Sequence, residues 1–377
     1  MIIGFDAKRA VQNFTGLGNY GRYLIETLLK YAPEHKYILY APKDSDNKRL
    51  TTIKASNSAE FAFPKSTLNK KFKSIWRIHN IYNDINNDNI DIFHGLSNEL
   101  PLTIKRCTKV KSIVTVHDLI FRRLPNCYKP IDRGIYDYKF RKACKNADVV
   151  VAVSECTKRD IVNDYNIDPS KIEVIYQGCD PSFTTQCSEE KLSDVKKKYN
   201  LPENFILSVG SIEERKNALA IVKALMHLPK EIKLVLVGKH TEYCNAIKSF
   251  MVQNKLTDRV IFLHGVDFAD LPAVYQCASV FCYMSLYEGF GIPLLEALWS
   301  RVPVIGATGS CLEEAGGKAS LYVAPNDYQE LAKSIESTFD KQTRNSMVTA
   351  GLEHAKQFNQ ENFAKQTINL YNKLLQG

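Results

Sequence analysis

The segment Ser285-Leu-Tyr-Glu288-Gly-Phe-Gly-Ile-Pro-Leu-Leu-Glu296-Ala-Leu298 gathers two carboxylates, two glycines and a proline into one short stretch. An apolar run ends at Met284, and Pro293 suits the first turn of a helix, where its missing N–H costs nothing. Gly289 and Gly291 let the backbone turn tightly and approach a ligand closely. Around them, Phe290 and Ile292 complete a helix start whose free N–H groups would form a site for phosphate. Glu288 before the helix and Glu296 one turn inside it could face one ligand, because carboxylates accept strongly from hydroxyls. The plainer alternative for Glu296 is stabilisation of the helix start through the macrodipole.

Three other places carry polar groups at strand ends. In Ser208-Val-Gly-Ser211-Ile-Glu-Glu-Arg215-Lys216-Asn217, an adjacent Arg and Lys can clamp a diphosphate, one as a planar fork and one as a point charge. Such cations would stabilise a departing nucleoside diphosphate. Asn13-Phe-Thr-Gly16-Leu-Gly18-Asn-Tyr-Gly21-Arg22 is a glycine-rich loop expected to lead into a helix from Tyr20 to Tyr31. A dinucleotide fingerprint would need an acidic residue after the second strand, and Asp44 matches that position poorly. In Thr115-Val-His117-Asp118, an apolar run stops at a histidine, which places its imidazole at the carboxyl edge of a sheet. His94 is similarly placed in weaker company; either histidine could instead be a satisfied structural residue.

These residues need a scaffold that brings strand ends together. Near-continuous apolar runs suit parallel strands buried on both faces. In the first half they are 2–7, 36–41, 60–64, 91–95, 112–118, 148–154 and 172–178; in the second they are 205–211, 232–238, 260–265, 279–284, 302–307 and 320–325. Strand–helix alternation that restarts near residue 204 predicts an α/β protein of two doubly wound, Rossmann-like domains facing a central cleft. The expected division is 1–185, 186–357 and a final helix at 358–377, with the polar stretch Pro181–Pro202 as linker. In open α/β sheets ligands sit outside the carboxyl ends of the strands.

Composition narrows the field. The 377 residues are 45% hydrophobic and 24% charged, as in globular proteins. The opening residues read as a strand rather than a signal peptide. Ten cysteines without CxxC spacing read as reduced thiols of a cytoplasmic protein. No cluster has metal-ligand spacing, and no metal is expected. The net charge is +9, and residues 43–145 hold 21 Lys and Arg against 10 Asp and Glu, which suggests an anionic partner. Lys65–His79 mixes cations with Phe72, Ile75, Trp76 and Ile78. It fits either an interfacial helix on anionic lipid or an ordinary amphipathic helix with a solvated basic face. No nucleic-acid motif accompanies the charge.

Together these segments resemble family 4 of the retaining glycosyltransferases, which have the GT-B fold. The resemblance spans nearly the whole chain and rests on Glu288 to Glu296 with its intervening Gly-Phe-Gly, and on SVGSIEERKNALAIVKAL at 208–225. TGLGNYGR, FHGLSNELP, VTVHDLIF, VAVSECTKRDI and VIYQGCD follow in the expected order. It implies that Gly16 and Gly18 approach the donor phosphates, His117 contacts the transferred sugar, and Arg215 and Lys216 hold the diphosphate. It further implies that Glu288 and the amides of Gly289 to Gly291 meet the sugar and phosphate, Glu296 holds the ribose, and His264, Gly265 and Val266 lie by the base. Many members have Arg where this chain has Ser211, which leaves that cation to Arg215. Asp44-Ser-Asp46 resembles the metal-chelating triplet of another glycosyltransferase class but reads as a solvated turn. The sub-pattern is most similar to bacterial mannosyltransferases of surface-polysaccharide assembly. The implied donor is GDP-mannose, with UDP-GlcNAc, UDP-hexoses and dTDP-rhamnose as alternatives. The implied acceptor is a glycan or lipid-linked glycan, reached from the cytoplasm with peripheral contact to the inner face of the membrane. A nucleotide-sugar epimerase and an inactive binding partner are the competing readings.

Overall fold

A computed structural model describes residues 1–376 as two compact units, Met1–Gln177 with the segment from Gln360 onward, and Gly178–Asn359. All thirteen apolar runs are strands. In the first unit they are β1 (Ile2–Asp6), β2 (Lys36–Tyr40), β3 (Ala59–Ala62), β4 (Ile92–Gly95), β5 (Lys111–Val116), β6 (Val149–Ala152) and β7 (Ile172–Val174). In the second they are β8 (Phe205–Val209), β9 (Lys233–Val237), β10 (Val260–Leu263), β11 (Val280–Tyr283), β12 (Val304–Ala307) and β13 (Leu321–Val323). Each sheet is wholly parallel, ordered β3-β2-β1-β4-β5-β6-β7 and β10-β9-β8-β11-β12-β13. The central strands β4 and β11 are buried at every position, so helices must cover both faces, as the continuous apolar runs require. The strand order reverses beside β1 and β4 in one sheet and beside β8 and β11 in the other. These are the switch points where open sheets leave a crevice.

The final helix, Gln360–Gln376, belongs to the first unit and packs on the helix Gly16–Tyr31. Its buried residues Phe363, Ala364, Thr367, Leu370 and Tyr371 follow helical spacing. A buried polar chain ties it down. His94 meets the Tyr371 hydroxyl through Nδ1 and the Thr115 hydroxyl through Nε2, both at 2.8 Å, and Tyr20 meets Thr115 at 3.1 Å. Burial lowers the His94 pKa to about 3, so the neutral ring bridges two strands and a helix as a structural residue.

Three sequence expectations change. The stretch expected as a linker is folded into the second unit: the helix Glu189–Lys198 has Ser188 as N-cap, buries Val195 and packs on Leu271–Gln276. Lys191, Lys198 and Tyr199 all reach Asp270 there. Its lysines made it look solvated because only one residue faces inward. Residues 178–185 likewise belong to the second unit rather than the first. Lys65–His79 is not one helix: Thr67–Lys71 and Lys73–Ile75 are separated at Phe72 (φ −110°, ψ 59°), and a π-helical turn, Trp76–Asn80, follows. Trp76 is core, its indole N–H donating to Asp84 at 2.6 Å, whereas Phe72 and Ile75 are exposed.

Among the described residues no helix is long and apolar enough to cross a membrane. All ten cysteines are free, and most are buried.

Candidate active site

In the second unit the chain leaves β8 through Gly210 (φ +148°), and the neighbouring β9 ends at Gly238 (φ +153°). A Cβ on Gly238 would lie 1.9 Å from the Gly210 carbonyl oxygen, so two strand ends cross here at a distance only glycine allows. The turn Glu214–Lys216 closes on Asn217, a left-handed residue whose amide donates to the Pro325 carbonyl at 2.8 Å. Leu286 N–H donates to the Arg215 carbonyl at 2.8 Å, as does the Ser285 hydroxyl at 3.1 Å. The loops after β8 and β11 are thereby bonded together across the switch point.

That bonding brings Arg215, Lys216 and Glu288 into one cluster. Glu288 Oε1 accepts from Lys216 Nζ, from Arg215 Nη1 and the Tyr283 hydroxyl at 3.1 Å each, and from the Ser285 hydroxyl at 2.6 Å. Arg215 also pairs with Glu213 at 2.8 Å. The Lys216 ammonium stands 5.0 Å over the Tyr283 ring, where the ring quadrupole attracts it. Burial opposes ionisation of Glu288, but Lys216 and Arg215 outweigh it and hold the carboxyl at about 2. Burial, with Arg215 alongside, lowers the Lys216 pKa against the pull of Glu288. The two cations are held in fixed positions by Glu288 and Glu213.

Beyond Glu288 the chain turns at Gly291 (φ +132°), which precedes the helix Ile292–Trp299 with Pro293 in its first turn. The Cys311 thiol donates to the Glu288 and Phe290 carbonyls at 3.0 and 2.8 Å, pinning the loop that holds Gly289. Glu296 accepts from the Tyr275 hydroxyl at 2.7 Å. Burial raises its pKa to about 7, Tyr275 opposing and Asp180 adding to the rise. The two glutamates occupy separate microenvironments, one in a charged cluster and the other away from any cation, beside Tyr275 and Asp180. Ser211, His264 and Gly265 are exposed, and the His264 ring lies 5.3 Å from that of His240. Those two rings form an open aromatic ledge past the ends of β9 and β10.

His117, Gly16 and Gly18 belong to the first unit. Asn98, itself left-handed (φ +63°), accepts the His117 backbone N–H at 2.6 Å. His117 Nε2 donates to the Leu96 carbonyl at 2.8 Å, which fixes the tautomer. The Tyr20 ring meets the imidazole edge-on at 4.5 Å. Burial brings the His117 pKa down to about 4, so the ring is neutral at pH 7. The helix expected to start at Tyr20 begins at Gly16, which places both glycines in its first turn. Gly18 is required by packing: a Cβ there would lie 2.0 Å from the Asn13 carbonyl oxygen. Asp44 pairs with Lys54 at 2.9 Å in an exposed turn, and among the described residues no group of three His, Cys, Asp or Glu side chains gathers as a metal site.

Sequence reading missed Tyr283, Ser285, Tyr275, Cys311, Gly210, Gly238 and His240. The aromatic residues and the thiol lie in or beside apolar runs and read there as core. Gly210 and Gly238 carried a signal, since each lies at the carboxyl end of a predicted strand, 205–211 and 232–238.

Two wholly parallel sheets in this order, with a cation–carboxylate cluster at the second switch point, are what the resemblance to glycosyltransferases of the GT-B class implies. Profiles of two glycosyltransferase families match the chain, Glycosyltransferase Family 4 over residues 14–183 and Glycosyl transferases group 1 over residues 190–354. The chain is 31% identical over 287 residues to the O-antigen chain mannosyltransferase B of Escherichia coli, covering 74% of each. It is also 31% identical over 234 residues to the O-antigen chain mannosyltransferase RfbU of Salmonella typhimurium, covering 61% of this chain and 62% of that one. The HepE protein of Anabaena, solved with UDP and glucose, shares the fold at a TM-score of 0.76 and 18% identity, over 98% of this chain and 99% of that one. The chain belongs to the family 4, group 1 glycosyltransferases.

Proposed function

We propose that this glycosyltransferase moves mannose from GDP-mannose to a hydroxyl of a glycan or lipid-linked glycan acceptor, in cell-surface polysaccharide synthesis, with retention of configuration and without a metal ion. The observation that carries this reading is the convergence of Arg215 and Lys216 on Glu288 at the β8/β11 switch point. When the bond from the anomeric carbon to the diphosphate breaks, negative charge grows on the leaving oxygen. Two fixed cations are placed to stabilise it without reorganisation. Glu288 is a poor covalent nucleophile, because one of its oxygens accepts from four donors and its carboxyl stays near 2. That favours attack by the acceptor oxygen on the face the leaving group departs from, its proton passing to the departing phosphate. Glu288 then serves to hold sugar hydroxyls, Glu296 those of the ribose, and neutral His117 a hydroxyl of the transferred sugar. Gly16 and Gly18 at their helix start, and the amides of Gly289 to Ile292, meet the phosphates. Ser211, Gly265, Val266 and the His240–His264 ledge suit the base. The mannose assignment rests on the two O-antigen mannosyltransferase relatives.

The test is thermal stabilisation by GDP-, UDP- and dTDP-sugars in EDTA, since a ligand of the folded state raises apparent stability. A shift with GDP-mannose, followed by mannosyl transfer in the same buffer with retained configuration, is the expected result. A shift with another nucleotide class would replace the donor. Binding without transfer to any hydroxyl acceptor would point to a nucleotide-sugar-binding partner. Transfer that appears only when Mn²⁺ or Mg²⁺ is restored would refute metal independence.

A further inference from the structure

In the first unit, a second basic site lies at the carboxyl ends of β1 and β2. A cavity of about 290 Å³ is lined by Lys8, Lys43, Lys73, Arg77 and Lys139, with Gln12 and Ser74. Arg77 is spoken for: its guanidinium forks onto Asp6 at 2.7–3.0 Å and reaches Glu99 at 2.8 Å, and Glu99 also takes Lys139 at 3.4 Å. Those two carboxylates hold Arg77 and Lys139 in place. Among the described residues, Lys8, Lys43 and Lys73 form no ion pair. Three lysines without an ion-pair partner line one small cavity, which favours entry of an anion. Burial and the neighbouring Arg77 and Arg9 already lower the Lys8 pKa.

The rim has a different character. Lys73 lies between Phe72 and Ile75, which are 45% and 50% exposed, with Leu68 one turn earlier at 63%. Lys139 lies on the helix Pro130–Asn146, whose Ile131, Ile135 and Tyr138 are 78%, 47% and 59% exposed at helical spacing. The elements that carry Lys73 and Lys139 therefore present large apolar side chains to solvent as well. Exposed apolar groups beside cations are the pattern of a surface that enters the headgroup layer of an anionic bilayer.

We infer that the Lys8/Lys43/Lys73/Arg77/Lys139 cavity binds the phosphate or diphosphate of an amphiphile while the Leu68–Ile75 and Ile131–Tyr138 rims contact the surrounding bilayer. A phosphomonoester or diphosphate carries more charge at its end than a phosphodiester and suits a cavity lined by several cations. Such a group, on an apolar chain, is the chemistry by which a membrane-borne acceptor would be held. This assignment deepens the transferase reading and rests on it only for the word acceptor.

The experiment is flotation of the full chain with phosphatidylcholine vesicles doped with phosphatidic acid or, at matched surface charge, with phosphatidylglycerol. Thermal stabilisation by GDP-mannose is measured in parallel. The chain is expected to prefer phosphatidic acid. Lys43→Gln and Lys73→Gln, both exposed and unpaired, should each weaken that binding about fivefold and erase the preference. Inorganic diphosphate should displace the chain from phosphatidic acid vesicles, and Ile131→Asp with Ile135→Asp should weaken binding to both vesicle types. Equal binding to the two lipids, with the lysine variants losing both alike, would overturn the pocket in favour of smeared surface charge. Binding unchanged in the lysine variants would overturn it altogether. A free-phosphate site would show diphosphate stabilising the chain in solution, that shift reduced in Lys43→Gln and Lys73→Gln, with no vesicle binding, and would overturn the membrane part. Failure of GDP-mannose to stabilise the unmodified chain is a separate result that bears on the donor alone.

Discussion

Replacing Glu296 by glutamine should make the second unit more stable at alkaline pH while leaving it little changed in acid. The folded carboxyl titrates near 7 instead of its ordinary 4.5, chiefly because it is buried. Between those values the unfolded chain has lost its proton and the folded chain has kept it. The folded state then binds more protons, so stability falls as pH rises through that window. At about 1.36 kcal/mol per pH unit, the full cost above pH 7 is on the order of 3 kcal/mol. Glutamine keeps the shape and a carbonyl for the Tyr275 hydroxyl but carries no charge to bury. Urea unfolding of both proteins at pH 5 and pH 8 reads the effect directly, because titrating groups that do not interact with Glu296 cancel in the difference. The variant's advantage should grow by about 2.5 kcal/mol between the two, or roughly 5–10 °C in Tm for a unit of this size. A difference that stays flat across that range would refute the claim that this carboxyl is held protonated. If Glu296 grips ribose hydroxyls, the same variant should weaken stabilisation by GDP-mannose.

Lys216→Ala should lower kcat by about 10²–10³, the range for losing one preorganised charge-stabilising group, in a protein that circular dichroism shows to be folded; full turnover would remove the cluster from the mechanism. Gly291→Ala forces a side chain into φ +132°, with its Cβ 3.0 Å from Leu312 and 3.1 Å from Ala315. A loss of about 1–3 kcal/mol together with collapse of turnover is expected, and wild-type kinetics would contradict the role of this turn. Tyr371→Phe leaves a buried His94 nitrogen unpaired and should cost about 1–3 kcal/mol, read as faster proteolytic release of the final helix with the response to GDP-mannose intact.

The strands were legible because parallel strands buried on both faces leave uninterrupted Val, Ile and Leu runs. Arg215, Lys216 and Glu288 were legible because charge directly after such a run has no structural reason to be there. Their partners were not. Tyr283 and Tyr275 are aromatic residues whose rings are core and whose hydroxyls alone reach the site. No pattern of polarity announces a hydroxyl on a buried ring. Helix limits failed where context overrode local signals: Gly16 and Gly18 lie inside a helix that their low propensity argues against, and at Gly18 Asn13 packs where a Cβ would stand. The lysine-rich stretch at 189–198 concealed a helix because a single buried valine leaves no apolar stripe to find.

The first unit is completed by residues that the ribosome makes only after the whole second unit. Roughly 180 residues of the second unit separate Gln177 from Gln360. At about 5–20 residues per second, the nascent first unit waits on the order of 10–40 s for its final helix. During that interval the groove awaiting Phe363, Leu370 and Tyr371 stands open to solvent, and His94 lacks its tyrosine. A chaperone that shields apolar surface should associate with this chain in that interval. A stop codon before Gln360 would remove the missing piece of the oldest part of the protein.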